Sequence, residues 1–131
     1  MIVADTHIII WHALKPEMLS EKARTAMEDA DQADGIICCD ISLWEIAMLV
    51  QKQRLRMDAG YLEFIDLVLT SSRYVVKPIT PEIAELSSTL FSSVNKDPAD
   101  RIIAATSIIE KADLVTADTR LRRTNRVKTI W

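Results

Sequence analysis

Short unbroken apolar runs alternate along the chain with longer stretches whose apolar residues recur at helical spacing. Ile2-Val3-Ala4, Ile36-Ile37-Cys38-Cys39, Tyr74-Val75-Val76 and Leu114-Val115-Thr116 are runs of the first kind, with Val127 to Ile130 as a fifth. They are rich in β-branched residues and lack clean polar alternation, which is the pattern of strands buried on both faces. Residues 19–31, which begin at the cap residue Ser20, read as a helix. Residues 42–54 do so through Leu43, Ile46, Ala47 and Val50, and residues 59–71 through Leu62, Ile65 and Leu69. Residues 81–92 and 98–111 follow Thr80-Pro81 and Asp97-Pro98, a cap residue and then proline at the first helical position. Strands alternating with helices predict an α/β fold with a mostly parallel sheet. No repeat, linker or low-complexity tract interrupts the pattern, so residues 1–131 are expected to form one domain.

Composition narrows the chemistry. With 131 residues, 49% apolar and 27% charged, the chain can bury a core without disulfide or metal staples. Its two glycines, Gly35 and Gly60, stand far apart, which excludes a P-loop, a dinucleotide fingerprint and a serine nucleophile elbow. The two cysteines, Cys38 and Cys39, are neighbours that an extended segment would point to opposite faces, so they read as small buried hydrophobes in a reducing cytoplasm. No stretch approaches the roughly 20 apolar residues that span a bilayer, and the start Met1-Ile2-Val3-Ala4-Asp5 lacks the basic opening of a signal peptide. A cytoplasmic protein with no membrane partner is expected.

Charge first argues against nucleic acid, because the formal net charge is −3. The distribution is uneven, however. Residues 1–100 carry 9 basic and 16 acidic side chains, whereas residues 101–131 carry 7 basic and 3 acidic. In an open α/β sheet, ligands sit beyond the carboxyl ends of the strands. Asp5 and Asp118 close the first and fourth strands, Glu45 lies one turn into the helix after the second, and Asp97 and Asp100 open the helix leading into the fourth. Each acid has a local structural use. Ser42-Leu43-Trp44-Glu45 and Asp97-Pro98-Ala99-Asp100 read as capping boxes, and Asp5 and Asp118 can each cap a short helical turn. Gathered together, carboxylates repel one another and call for a hard cation such as Mg²⁺ or Mn²⁺, the setting of metal-assisted phosphodiester hydrolysis.

Asp5-Thr6 after a first strand, Ser42-x-x-Glu45, Asp97-Pro98-x-Asp100-Arg101 before Ile102-Ile103-Ala104-Ala105-Thr106, and Leu114-Val115-Thr116-x-Asp118 together resemble the PIN-domain ribonucleases, most of all the VapC-type toxins of bacterial toxin–antitoxin pairs. The resemblance runs to the terminal Val127-Lys128-Thr129-Ile130-Trp131. It implies a three-layer α/β/α PIN-like fold with a mostly parallel central sheet of about five strands. It implies a Mg²⁺- or Mn²⁺-dependent endoribonuclease with Asp5, Glu45, Asp100 and Asp118 as catalytic metal ligands. Asp97 then keeps a capping or supporting role, and the hydroxyl of Thr6 or Thr116 positions a metal-bound water or is simply satisfied by backbone. The implied partners are an RNA substrate, a cognate antitoxin and a second copy in a homodimer, for which the apolar content of residues 59–71 gives slight support.

The remaining residues carry alternatives. Lys52, Arg54 and Arg56, and Arg120, Arg122, Arg123 and Arg126, are either solvated faces or contacts to an RNA backbone. Arg101 is placed to pair with a neighbouring acid. His7 and His12 are five residues apart, too far round a helix to share a ligand face. Trp11, Trp44 and Trp131 read as core or interface, with Trp131 covering the sheet edge. Among rival functions, a receiver-like phosphoacceptor domain lacks its paired acids, because Thr6 follows Asp5 and the third strand ends in Lys77-Pro78. A haloacid-dehalogenase-type phosphatase lacks its second aspartate, because residue 7 is His. A PIN-like binding or regulatory module without nuclease activity is the other alternative.

Overall fold

The computed structural model describes residues 1–89 and 97–131. Five strands, β1 (Ile2–Ala4), β2 (Ile36–Cys39), β3 (Tyr74–Lys77), β4 (Asp113–Val115) and β5 (Thr129–Ile130), form one parallel sheet in the order β3-β2-β1-β4-β5. Val3 lies opposite Ile37 on one side and Leu114 on the other. The connecting helices are α1 (Thr6–Leu14), α2 (Glu21–Asp31), α3 (Asp40–Gln51), α4 (Tyr61–Ser71), α5 (Pro81–Thr89), α6 (Pro98–Glu110) and α7 (Thr119–Arg123), with a single 3₁₀ turn at Pro16–Met18. The expected helix 81–92 is seen to Thr89, and residues 90–92 lie outside the described residues.

Strand periodicity sends alternate side chains to opposite faces and so builds two cores. Ala4, Ile36, Cys38 and Val115 face α1, α2, α3 and α4, where Ile8, Met27, Ile46 and Phe64 are buried. Val3, Ile37, Cys39 and Leu114 face α5, α6 and α7 through Ile83, Ile103, Ala104 and Leu121. Each fully buried Ile or Leu contributes roughly 1.5–3 kcal/mol. The two cysteines lie on opposite faces as expected, and burial pushes their thiols up to about 12 and about 11, which removes them from thiolate chemistry.

Several elements differ from the sequence expectation. Asp5 caps a full nine-residue helix rather than a short turn. The run Ile8-Ile9-Ile10 is buried at every position, so no polar face marks its period. In addition, β2 passes directly into α3, with Cys39 as N-cap and Asp40 as the acid of the first turn. Ser42 is therefore inside the helix, and the expected Ser42–Glu45 capping box does not form. Helix α4 begins at Tyr61, two residues later than expected, and α3 ends at Gln51 rather than at residue 54. The starts of α2 and α6 follow expectation. Ser20 Oγ accepts from Ala23 N at 3.1 Å, and Asp97 Oδ1 accepts from Ala99 N at 2.9 Å ahead of Pro98.

At the C-terminus of α6, Lys111 adopts φ 53°, and Ala112 N reaches back to Ser107 O at 3.0 Å. This is a left-handed helix end that favours glycine. Gly35 holds φ 107° in the turn into β2, where an added Cβ would lie 2.8 Å from Arg73 O. Urea unfolding in chelator is therefore expected to show Lys111→Gly stabilising by about 1 kcal/mol and Gly35→Ala destabilising by about 1–3 kcal/mol.

Candidate metal-dependent active site

The sheet order reverses at β1, which has β2 on one side and β4 on the other. A crevice opens at such a switch point beyond the carboxyl ends of the strands. Here it is a cavity of about 500 Å³ bordered by Asp5, Thr6, Glu45, Asp97, Asp100 and Asp118, with His7, Trp11 and Arg120 on its walls. Five carboxylates from four separate parts of the sequence thus line one hollow, from the end of β1, α3, the start of α6 and the β4–α7 turn.

Their local anchoring explains why they point there. Asp5 is only 8% exposed. Its Oδ1 accepts from Thr6 N at 2.8 Å and its Oδ2 from the Thr116 hydroxyl at 2.7 Å. Thr116 Oγ1 in turn accepts from Asp118 N at 3.0 Å, and Asp118 Oδ1 accepts from Arg120 N at 2.8 Å to cap α7. On the other wall the Thr6 hydroxyl donates its proton to Glu45 Oε1. Thr6 has no second proton, so Ser42 Oγ, 2.8 Å away, must be the donor to Thr6 Oγ1. The hydroxyls of Ser42, Thr6 and Thr116 hold the carboxylates by hydrogen bonds that burial strengthens.

The electrostatics carry tension. Burial pushes the Asp5 carboxyl above its ordinary range, against the lowering by Thr116, Thr6 and His7, and nearby Asp118 adds to the rise. Burial likewise raises Glu45, with Asp5 and Asp97 contributing repulsion against the lowering hydrogen bond of Thr6. Among the described residues no three His, Cys, Asp or Glu side chains are packed tightly enough to wrap one ion without adjustment. The donors around the cavity are nevertheless carboxylate oxygens, and burial disfavours the charge on two of them, Asp5 and Glu45. That set fits a hard divalent cation and fits zinc poorly.

The basic residues fall at three places, with Lys52 apart from them. Arg54 and Arg56 line a groove of about 1130 Å³ between α1 and the segment after α3, with Lys15, Trp11 and His7. Arg122 and Arg123 line a hollow of about 360 Å³ with Thr119, Thr129 and Trp131. Arg120 borders the acid cavity itself, its Nε 3.8 Å from Asp118 Oδ1. Lys52, the C-cap of α3, is exposed and outside all three. Arg101 makes no ion pair among the described residues, and its Nε is buried without a hydrogen-bond partner there, contrary to expectation. His12 is occupied by Tyr74, its Nδ1 3.1 Å from the phenol oxygen. Trp44 is 59% exposed and is not core. Sequence reasoning passed over His7, Trp11 and Ser42 at this site, and only the unusual density of hydroxyl and aromatic residues beside the acids hinted at them.

Comparison with known proteins agrees with this geometry. Residues 2–127 match the model of the PIN domain. The chain is 36% identical over 132 residues to Ribonuclease VapC22 of Mycobacterium tuberculosis (strain ATCC 25618 / H37Rv), covering 99% of this chain and 98% of that protein. Its fold is similar to a chain of VapBC2 from Rickettsia felis, solved bound to a DNA fragment from its promoter, with TM-score 0.74, 19% identity and coverage of 98% and 97%. It is also similar to a chain of FitAcB from Neisseria gonorrhoeae, with TM-score 0.66, 21% identity and coverage of 98% and 96%.

The raised carboxyl of Asp5 has a measurable consequence. A group whose pKa is higher in the folded state destabilises that state once it ionises, so its contribution falls as pH rises. In chelator, Asp5→Asn is expected to melt above the parent at neutral pH, with the gain shrinking as pH is lowered toward the acid range. A variant that melts lower throughout would show that the carboxylate is a net support of the fold.

The acid cavity at the switch point of a five-stranded parallel sheet, the PIN-domain match over almost the whole length and the relative sharing more than a third of its sequence together show that this chain belongs to the PIN-domain family and is a homologue of the VapC ribonucleases.

Proposed function

We propose that the protein is a divalent-metal-dependent endoribonuclease that acts as the toxin of a toxin–antitoxin pair. The observation that carries this reading is the convergence of Asp5, Glu45, Asp100 and Asp118 on one cavity flanked by basic residues. Homology to a protein named a ribonuclease supports the reaction. These four residues would hold Mg²⁺ or Mn²⁺. When bound, the ion lowers the pKa of an attacking water and offsets charge on the scissile phosphate. Thr6, Ser42 and Thr116 fix the carboxylate orientations, and Asp97 fixes the start of α6 by capping it. Arg120 stands where it can bind a phosphate oxygen on the rim, and His7 adds a polar edge to the cavity. An RNA substrate sets the reaction in the cytoplasm.

An antitoxin partner is supported by the solved relatives, among them a toxin–antitoxin complex from Klebsiella pneumoniae with TM-score 0.65, 18% identity and coverage of 98% of this chain and 99% of that one. A homodimer is supported by α4, where Leu62 is 80% and Leu67 59% exposed. Among the described residues no helix is long and apolar enough to cross a membrane.

The test is cleavage of a structured RNA with Mg²⁺ or Mn²⁺. Asp5→Asn, Glu45→Gln, Asp100→Asn and Asp118→Asn are expected to lose about 10²-fold or more. Asp97→Asn keeps a good N-cap and should stay within about 10-fold. Mn²⁺ should raise the Tm of the parent and not that of Asp5→Asn. Equal cleavage by parent and Asp5→Asn would refute the assignment.

A further inference from the structure

Trp11 is the residue that the reading above leaves without a task. It borders both the acid cavity and the larger groove, a position it shares only with His7 among the residues lining the two. The indole is partly exposed. Its ring neighbours are both tilted, His7 at 5.9 Å and 57° and Trp131 at 6.1 Å and 49°. Neither lies parallel to it, so among the described residues no aromatic ring stacks on it face to face.

The surroundings specify what would. On the groove side of Trp11, apolar Leu49, Leu55 and Met57 alternate with Arg54 and Arg56. Thr119 also joins the acid cavity to the hollow that holds Arg122, Arg123 and Trp131, the last of which lies beside Trp11. The indole therefore stands where the acid cavity meets one basic groove, with a second basic hollow adjoining the same cavity. Phosphates need cations on either side of the reacting group, and an unpaired base needs an apolar or aromatic face. A duplex keeps its bases stacked inward and has no use for the indole.

We propose that Trp11 is a specificity-determining residue that stacks on an unpaired nucleobase next to the scissile phosphate. This rests on the ribonuclease reading, and the experiment separates the two. The groove alternatively seats a protein partner, and that alternative predicts RNA kinetics indifferent to Trp11.

The first measurement uses a short single-stranded oligoribonucleotide carrying 2-aminopurine at successive positions, bound to the full-length Asp100→Asn protein in chelator. Quenching is expected at one position. It should be lost in Asp100→Asn combined with Trp11→Leu and kept with Trp11→Phe. The second measurement is cleavage by the parent with Mn²⁺. Trp11→Leu should lower kcat/KM about 5- to 100-fold, chiefly through KM, and Trp11→Phe should recover most of it. A substrate abasic at the quenched position should lose as much with the parent and nothing further with Trp11→Leu. Quenching that survives Trp11→Leu, its absence at every position, or additive losses with the abasic substrate would overturn the proposal. Trp11-dependent quenching in a protein that cleaves no RNA would uphold the stacking and defeat the nuclease reading.

Discussion

The structure turns on one buried charge. Asp5 closes β1 and caps α1, and its carboxylate receives the Thr116 hydroxyl from the end of β4. Its backbone N–H also bonds to Val115 O at 3.0 Å, so the first and fourth strands are tied at their ends by backbone and side chain together. Placing a carboxylate at the middle of a sheet edge is costly in a low dielectric unless it is fully hydrogen-bonded. That constraint accounts for the hydroxyl residues around it. Thr6 and Thr116 are almost fully buried because they serve this charge and its neighbour Glu45.

Capping a helix and bordering the cavity turn out not to be competing explanations for the acids. Asp5, Asp97 and Asp118 are all N-caps, and all three border the cavity. Helix N-termini in a parallel α/β sheet point toward the same edge as the carboxyl ends of the strands. An acid chosen for the dipole is thereby delivered to the crevice. Three helix starts aimed at one hollow also soften the repulsion among the carboxylates, since each positive helix end faces negative charge.

This geometry explains what could be read from the chain. Strands β1 and β2 and the proline-led start of α6 were legible because burial on both faces and capping leave strong local signatures. Helix α1 was not, since three consecutive buried isoleucines carry no period. The start of α3 was misread because Ser42-x-x-Glu45 has the letters of a capping box, whereas the chain turns from β2 straight into the helix two residues earlier. Ser42 is spent on Thr6, a contact across 36 residues that no local pattern records. Asp5 and Asp118 could be placed at the cavity edge from their strand-end positions, and Glu45, Asp97 and Asp100 from their positions near helix starts. The place of Trp11 between two hollows depends on how α1 packs beside the segment after α3, which is tertiary information.

The bond between Thr116 and Asp5 spans 111 residues of sequence. Closing so long a loop costs chain entropy that no local contact repays. The hydroxyl that anchors Asp5 Oδ2 therefore arrives only when β4 pairs with β1. In any state in which those two strands are apart, the carboxylate keeps only its local bond to Thr6 N.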